Sequence, residues 1–426
     1  MLRKIPTIGF IALLLLSCSK DDDATCNDGK QNGNETGIDC GGDCTPCSFD
    51  GNLDGLAQKG PFLNGSSVTY SELNASLGLT GRTFVTQILD NTGYFQLDNL
   101  SLESDFGNIR VDGFYFNEVC GTNSESQITL NSIVNMNDVS SANVNVLTHL
   151  EKGRVEYLLD QGSAYAVAKA QAQEEVLSIF EIQLPDGLPS SENLNIANSE
   201  EGDAILIAVS SILQGHRSEA DFSLLMADIL SDIREDGVLD NQSIGADLIA
   251  HATLLDTAAI KENLEAWYSD NDMNIDVPFF GNYISDFLAN SAFTPSEEDH
   301  PYEYPENGMN GVNLLSGNSF DVKRDDYYSL AVEFELNCAE LKLILKGGDA
   351  NCNGCWFITL GTGYQGWDVG SYNESTEIQT FTTSSGYSDI KLSITDYIDT
   401  GDVIEIEVYE GSGSIPTRTI QLTVVD

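Results

Sequence analysis

Residues 84–97 have the sequence Phe84-Val85-Thr86-Gln87-Ile88-Leu89-Asp90-Asn91-Thr92-Gly93-Tyr94-Phe95-Gln96-Leu97. Phe84–Ile88 and Tyr94–Leu97 are rich in aromatic and β-branched residues, which favour strands, and Asp90–Gly93 between them has the composition of a turn. Further strands are predicted on both sides, at Gly65–Leu73, Ile109–Phe116 and Gln127–Leu130. Residues 51–136 are therefore predicted to form a β-sandwich.

The order of glycines and apolar residues in this β-rich region resembles the carboxypeptidase-regulatory or transthyretin-like sandwich. Eight residues carry the resemblance: Gly65, Val68, Thr86, Asp90, Gly93, Phe95, Gly113 and Phe114. Modules of this type are usually noncatalytic spacers or binding units. The resemblance therefore implies that Asp90 is a turn residue rather than a catalytic acid.

A helical period begins near Asn143, where apolar residues recur every three or four positions. About six amphipathic helices with short connections are expected within residues 137–293, including one at Leu248–Trp267 and one at Phe280–Leu288. The segment 232–243 begins like a calcium-binding loop, but Arg234 occupies a ligand position and Ser243 replaces the usual glutamate. We interpret it as a helix end and a turn.

Residues 294–310 are predicted to be a linker, because prolines and carboxylates interrupt any regular pattern there. Beyond it, apolar and polar residues alternate in about eight short runs, among them Leu341–Leu345, Trp356–Leu360 and Val403–Val408. This predicts a second β-sandwich over residues 311–426. The predicted fold class is therefore multidomain: a β-sandwich, an all-α helical domain and a C-terminal β-sandwich, after a lipoprotein signal and a disulfide-rich stalk.

The N-terminus has the features of an export signal. Arg3 and Lys4 precede an apolar run that ends at Leu16 and is too short to cross about 30 Å of hydrocarbon as a helix. The segment Leu15-Leu16-Ser17-Cys18 resembles a bacterial lipobox, in which the cysteine is acylated and becomes the first residue. This implies a signal peptide at residues 1–17 and a membrane anchor through lipid at Cys18. An ordinary secretory signal with an incidental cysteine is the alternative.

The segment Ser19-Lys20-Asp21-Asp22-Asp23 resembles the export signal that, in one large group of Gram-negative bacteria, sends lipoproteins to the outer face of the outer membrane. The resemblance implies a lipid-anchored protein that faces the cell exterior. A charged spacer without an address is the alternative.

Residues 18–50 are predicted to be an acidic tether and a cysteine-rich module with few apolar side chains to bury. Residues 26–47 resemble the pattern C-x-D-G-x-x-N-G-x-E-x-G-x-D-C-G-G-x-C-x-x-C of many secreted and surface bacterial proteins. This implies two disulfides among Cys26, Cys40, Cys44 and Cys47, for which three pairings exist. A four-thiolate zinc site is the alternative, but exported thiols usually oxidise.

The same module offers oxygen ligands for a metal ion. Asp28, Asn32, Glu35 and Asp39 lie between its first two cysteines, and the intervening glycines allow sharp turns. Because calcium prefers oxygen ligands, a calcium site is predicted here, with simple solvation of an acidic loop as the alternative. Calcium is the cofactor that the sequence favours.

The remaining cysteines also indicate disulfides. The chain has nine cysteines, and setting aside Cys18 leaves eight, an even number that suits an exported protein. One disulfide is expected to join Cys338 to Cys352 or Cys355. The cysteine left over from these three, and Cys120, have no obvious local partner.

The charge of the chain excludes one class of partner. The sequence has 19 basic and 67 acidic residues, a formal net charge of −48 at pH 7. Nucleic-acid binding depends on lysine and arginine side chains that neutralise phosphates, so a nucleic-acid partner is excluded. The acidic surface suits a calcium-containing exterior, and it also serves solubility.

No catalytic constellation is evident in the sequence. The four histidines are scattered, and His149 is interpreted as a buried, hydrogen-bonded core residue. Glu405 and Glu407 alternate with apolar residues, which places them on the solvent side of a strand. Tyr364 and Trp367 lie in a glycine-rich stretch that predicts a loop, where flat rings could stack on sugars.

These patterns predict a noncatalytic cell-surface lipoprotein that acts in adhesion or in capture of a ligand, either a glycan or a surface protein. Two alternatives stay open. A surface hydrolase of polysaccharide or peptide would need a site built between domains, and a structural spacer of a larger surface complex would copurify with other proteins.

Overall fold

The computed structural model describes residues 26–30, 32, 39, 44–45, 49–136, 139, 141–294, 302–303, 318–323, 327–334, 341–346, 356–360, 367–369, 378–383, 388–394, 399–410, 416 and 418–426. Along the chain, these residues form β-sheets, then a helical region, then further β-sheets. This order agrees with the predicted succession of β, α and β regions. The predicted boundaries between the regions stay predictions.

In the described residues of the first β region there are nine strands. They are β1 (Phe49–Gln58), β2 (Ser67–Leu73), β3 (Leu79–Gln87), β4 (Tyr94–Leu102), β5 (Phe106–Gly113), β6 (Phe116–Asn117), β7 (Thr122–Asn123), β8 (Ile128–Asn135) and β9 (Val144–Asn145). One antiparallel sheet has the order β3-β2-β5-β8, and a second sheet has the order β4-β1-β9, in which β9 runs parallel to β1. The short strands β6 and β7 pair with each other.

The turn at Asp90–Gly93 carries the chain from one sheet to the other. The Asp90 carboxylate accepts hydrogen bonds from the backbone N–H and the hydroxyl of Thr92, at 2.8 and 2.6 Å. Gly93 has φ +89°, and a Cβ there would lie 2.3 Å from the carbonyl oxygen of Ala57. Asp90 is thus a turn residue, as predicted, and the turn tolerates only glycine at position 93.

Seven helices lie within the described part of the chain. They are α1 (Val146–Asp160), α2 (Tyr165–Ile179), α3 (Glu201–Gln214), α4 (Glu219–Asp232), α5 (Gln242–Ala252), α6 (Thr257–Asp270) and α7 (Gly281–Asn290). A reciprocal cap starts α1: the Asn145 side chain accepts from the Thr148 N–H at 3.0 Å, and the Thr148 hydroxyl accepts from the Asn145 N–H at 2.9 Å.

The prediction of one helix at Leu248–Trp267 is wrong, because two helices occupy that stretch. The α5 helix ends at Ala252, and α6 begins at Thr257. Asp256 accepts hydrogen bonds from the backbone N–H groups of Ala258 and Ala259, at 3.0 and 3.1 Å. This N-cap stabilises a new helix start in the middle of a stretch whose apolar pattern is continuous.

The first β region and the helices share one hydrophobic core. One cluster of buried side chains extends from Leu53 in β1 to Phe287 in α7, and a small separate cluster lies between α1 and α2. Hydrogen bonds also join the two parts: the Thr148 hydroxyl donates to the carbonyl of Asn131 in β8 at 3.1 Å, and the Tyr165 hydroxyl donates to the carbonyl of Ile133 at 2.9 Å. Residues 49–294 therefore pack as one body.

Those residues of the C-terminal region that the structure describes form two sheets. Its strands are β10 (Tyr302–Glu303), β11 (Ser319–Lys323), β12 (Tyr327–Phe334), β13 (Leu341–Lys346), β14 (Trp356–Leu360), β15 (Trp367–Val369), β16 (Ile378–Thr383), β17 (Ser388–Ile394), β18 (Val403–Glu410) and β19 (Arg418–Val425). One sheet has the order β11-β19-β18-β13-β16-β15, and the other has the order β10-β12-β17-β14. The pair is β-sandwich-like, and β10 shows that two residues of the predicted linker pair with a strand.

Two details of this region differ from the predictions. Trp367 does not lie in a loop, because it begins β15 and pairs with Thr383 across an antiparallel ladder. Glu407 lies on the opposite face of β18 from the buried Ile406, as predicted, yet it is only 9% exposed. An ion pair with Lys346 and a hydrogen bond from Tyr409 at 2.8 Å cover this carboxylate.

Candidate functional site

A cavity of about 210 Å³ opens between the end of β1, the Asp90–Gly93 turn and two loops of the helical region. Gln58 and Tyr268, both fully buried, contribute to its wall. The rest of the lining is uncharged: Leu56, Thr92, Asn195, Ala197, Asn198, Met273, Asn274 and Ile275. We call this cavity the amide pocket.

Both polar atoms of the Gln58 side chain, Nε2 and Oε1, form hydrogen bonds that hold it in place. Its Nε2 donates to Asn195 Oδ1 at 2.7 Å and to the Tyr268 hydroxyl at 3.4 Å. Its Oε1 accepts from the backbone N–H of Ile196 at 3.1 Å. A buried amide with all partners in place is rigid, so Gln58 fixes the positions of Asn195 and Tyr268.

Tyr268, near the C-terminal end of α6, presents a phenol to the amide pocket. Burial raises the pKa of this phenol, and the fields of Asp90 and Glu118 raise it further. The hydroxyl is therefore protonated at neutral pH. It accepts from Gln58, and no hydrogen bond that it donates is found among the described residues. The O–H is thus available as a donor.

The two loops around the pocket are also fixed by local bonds. Asn195 donates its backbone N–H to Asp203 Oδ1 at 2.9 Å, and its own Oδ1 accepts from the Ala197 N–H at 2.9 Å. On the other side, Met273 donates its N–H to the carbonyl of Tyr268 at 2.8 Å. The pocket is therefore preorganised by the chain that surrounds it.

Lys59, the residue that follows the pocket-lining Gln58, belongs to a buried ion pair that has a structural role. Lys59 Nζ is 2.6 Å from Glu118 Oε1, and both side chains are at most 2% exposed. The Ser210 hydroxyl donates to the same carboxylate oxygen at 2.9 Å, and the Gly60 N–H donates to Oε2 at 3.1 Å. Burial lowers the pKa of Lys59, and the Glu118 carboxylate opposes that effect. These contacts join the end of β1 to α3.

The three histidines that the structure describes form hydrogen bonds within the fold. His149 Nδ1 accepts from the backbone N–H of Asn131 at 3.1 Å, and burial lowers the pKa of this imidazole to about 4. His251 Nδ1 accepts from the backbone N–H of His216 at 3.1 Å, and burial lowers the pKa of His251 to about 2. His149 is hydrogen-bonded, as predicted, but its side chain is partly rather than fully buried.

The cysteine-rich module is described in part. Cys26 and Cys44 form a disulfide, so these two sulfurs are bonded to each other rather than to a metal ion. Cys120 is also disulfide-bonded, and its partner lies outside the described residues. The other predicted disulfide residues lie outside them as well: Cys40, Cys47, Cys338, Cys352 and Cys355.

Three of the four predicted calcium ligands lie together. Asp39 accepts from the backbone N–H of Asp28 at 2.7 Å, and Asp28 Oδ2 accepts from Asn32 Nδ2 at 2.9 Å. Glu35 lies outside the described residues. Within the described part of the chain, no group of three or more His, Cys, Asp or Glu side chains is arranged to hold a metal ion.

The remaining predicted sites are resolved as follows. Asp232 ends α4 and accepts from the backbone N–H of Asp240 at 2.9 Å, so this segment is a helix end and a turn, as predicted. Cys18 and Tyr364 lie outside the described residues, and for Trp367 only the strand position is described. In the described ranges, no helix is long and apolar enough to cross a bilayer.

Sequence reasoning missed the amide pocket altogether. Gln58 and Asn195 are 137 positions apart, and Gln58 and Tyr268 are 210 positions apart. No local spacing brings such residues together, and amides and a tyrosine are common in proteins of any function. The one available signal was the abundance of asparagine around the two loops, at positions 195, 198, 271 and 274.

The chain matches no known protein-family model and no curated protein. Among solved structures, part of the chain is similar to a non-cellulosomal cohesin from the hyperthermophilic archaeon Archaeoglobus fulgidus, at 14% sequence identity and a TM-score of 0.16. The match covers 26% of this chain and 88% of the cohesin chain. A similarity at this level assigns neither a family nor a function.

Proposed function

We propose that this protein is a noncatalytic lipoprotein, anchored in the outer membrane through Cys18 and exposed on the cell surface. There it acts in adhesion or in ligand capture. The lipobox-like Leu15-Leu16-Ser17-Cys18 supports the anchor, and Ser19–Asp23 supports the surface address. The Cys26–Cys44 disulfide suits an oxidising compartment outside the cytosol.

The observation that carries the choice of capture over catalysis is the chemistry of the amide pocket. Its polar side chains are amides, one threonine and a phenol that is protonated at neutral pH. Such groups donate and accept hydrogen bonds, but they neither take up nor release a proton near neutral pH. A preorganised neutral pocket of this kind suits selective binding without turnover.

Surface display is tested with a Cys18→Ala variant in the native host, with Ser17→Ala as the matched control, because alanine keeps a small residue before the cysteine. Loss of the variant from the outer-membrane fraction and from whole-cell surface labelling is expected, with the control unchanged. Unchanged membrane association of Cys18→Ala would contradict the anchor.

Calcium binding by the cysteine-rich module is part of the same proposal. Asp28, Asn32 and Asp39 lie close together, and carboxylate and amide oxygens are ligands that calcium prefers. Isothermal titration calorimetry with calcium should give a dissociation constant that is millimolar or tighter. Asp39→Asn should weaken this binding, and Asp426→Asn is the control. Identical titrations of the two variants would contradict a site at the module.

A further inference from the structure

We infer that the amide pocket binds one neutral monosaccharide residue at the end of a glycan chain. This inference rests on the proposed function and deepens it by naming the class of ligand. The site is independent of the aromatic residues Tyr364 and Trp367 that the sequence suggested, and it lies in the body formed by residues 49–294.

The size of the pocket limits the ligand to a single ring or a single side chain. Its volume is about 210 Å³. Sites for drug-sized molecules usually enclose about 300–1,000 Å³, so a longer saccharide does not fit inside. A terminal sugar can enter while the next residues of the glycan stay in solvent at the open mouth.

The polar groups of the amide pocket have the hydrogen-bonding capacity that sugar hydroxyls need. Each hydroxyl both donates and accepts, and the side-chain amides of Asn198 and Asn274 do the same. Tyr268 adds an O–H donor whose position is fixed by Gln58. A buried donor that stays unsatisfied is costly, which favours a ligand that supplies an acceptor at this point.

The apolar lining suits the C–H face of a pyranose. Leu56, Met273 and Ile275 contribute aliphatic surface beside the amides, and the Met273 thioether is adaptable in shape. A sugar ring presents hydroxyls around its edge and carbon-bound hydrogens on its faces. The mixture of amide and aliphatic surface in the pocket therefore corresponds to the mixture on the ligand.

The charge around the pocket selects against acidic sugars. No lining residue is charged, although the chain has 86 Asp, Glu, Lys and Arg side chains and a net charge of −48. The Asp90 carboxylate, which is hydrogen-bonded to the pocket-lining Thr92 and whose field reaches Tyr268, would repel a uronic or sialic acid. A neutral sugar avoids both the repulsion and the cost of burying an unpaired charge.

The form of the pocket also favours a sugar over a peptide. Extended peptides are usually held by main-chain hydrogen bonds along a strand edge. Here the fixed polar groups are side chains gathered around a small cavity, and β1, which supplies Leu56 and Gln58, is flanked on both sides by β4 and β9. The arrangement recognises a compact group rather than a length of chain.

The test uses the purified full chain in detergent, with galactose, glucose and N-acetylglucosamine as neutral probes and galacturonic acid as the acidic probe. Saturation-transfer NMR and calorimetry should detect at least one neutral sugar, with galacturonic acid at least tenfold weaker than galactose or undetected. Equal binding of the acidic and neutral forms would overturn the inference.

Two variants locate the binding. Tyr268→Phe removes only the hydroxyl, and Asn274→Ala truncates an exposed side chain with little risk to folding. Each should weaken sugar binding about tenfold, the effect of losing one well-placed hydrogen bond. The matched controls are Tyr157→Phe on α1 and Asn290→Ala at the end of α7, which should bind as the parent does.

The outcomes separate this inference from the proposed function. If no neutral sugar binds, or if both pocket variants bind as well as the parent, the inference fails even when surface display through Cys18 holds. Binding of a neutral peptide that Tyr268→Phe abolishes, without sugar binding, also overturns it. A loss of surface display with intact sugar binding would instead count against the proposed function alone.

Discussion

The body of residues 49–294 contains fully buried ion pairs as well as exposed ones, whereas the ion pair described in the C-terminal sheets is partly exposed. In the body, Lys59 and Glu118 are at most 2% exposed, and Lys169 lies between Glu151 and Glu192 with all three side chains at most 8% exposed. In the C-terminal sheets, the pair Lys346–Glu407 lies on a sheet face, and Lys346 is 36% exposed.

This difference indicates what each pair does for the fold. A buried charge is costly without its partner, so each buried pair holds together the segments that carry it. Lys59–Glu118 joins the residue after β1 to the residue after β6, and Lys169–Glu151 joins α2 to α1. An exposed pair contributes little, because water and salt screen it. The body thus depends on polar contacts between distant segments, whereas the C-terminal sheets depend on the alternation of Ile404, Ile406 and Val408 with polar residues.

The largest effect is expected for Lys169→Met, which leaves two buried carboxylates without their cation. Lys169 Nζ lies 2.6 Å from Glu151 Oε2 and 2.9 Å from Glu192 Oε2. Removing one member of such a group typically costs about 3–5 kcal/mol of unfolding free energy. Denaturant unfolding of the variant at pH 7, compared with the parent, measures this loss.

The same variant should show a distinctive dependence on pH. Burial already raises the pKa of Glu151, Lys169 opposes that effect, and Glu192 adds to it. Without Lys169, the folded Glu151 carboxyl holds its proton at higher pH than the unfolded one does, so stability rises as pH falls from 7 towards 5. An unfolding free energy of the variant that is flat or falling over this range would contradict the assignment.

A comparison of Glu118→Ala with Glu407→Ala tests directly how a buried ion pair differs in stability contribution from a partly exposed one. The first change leaves Lys59 buried and unpaired, and we expect a loss of about 3–5 kcal/mol in unfolding free energy. The second leaves the partly exposed Lys346, and we expect about 1 kcal/mol or less. The double variant Lys59→Met with Glu118→Leu should recover much of the first loss, and equal losses for the two single variants would refute the distinction.

A comparison of Gly93→Ala with Gly401→Ala tests how much the surroundings of a glycine add to the cost of its backbone conformation. Both glycines have positive φ, +89° and +98°, which costs an alanine about 1–2 kcal/mol. At Gly93 a Cβ would also lie 2.3 Å from the carbonyl oxygen of Ala57, whereas at Gly401 nothing lies within 4 Å. Thermal unfolding should therefore show the larger drop for Gly93→Ala, and a larger drop at Gly401 would contradict this account.

The smallest effect concerns the break between α5 and α6. Asp256→Ala removes the acceptor for the first N–H groups of α6 and should cost about 1 kcal/mol in unfolding free energy. Asp256→Asn keeps an acceptor oxygen and should cost less. Hydrogen exchange at Ala258 and Ala259 locates the effect, and unchanged protection in Asp256→Ala would rule out the cap.

The sequence predicted the elements well where one local rule governs them. Strands β13, β14 and β18 begin where alternation predicts, because a half-buried strand needs apolar side chains at every second position. The single helix expected at Leu248–Trp267 shows the limit of periodicity. The apolar pattern continues through the break, and only the capping by Asp256 decides that two helices form.

By itself, the sequence determined the order of β, α and β regions, the turn at Asp90 and the excess of acidic residues, since each follows from neighbouring residues or from composition. Only the tertiary structure decided that sheets and helices share one core, and that Gln58, Asn195 and Tyr268 meet. The physical reason is that a hydrogen bond across 210 positions depends on how whole elements pack, which local spacing does not encode.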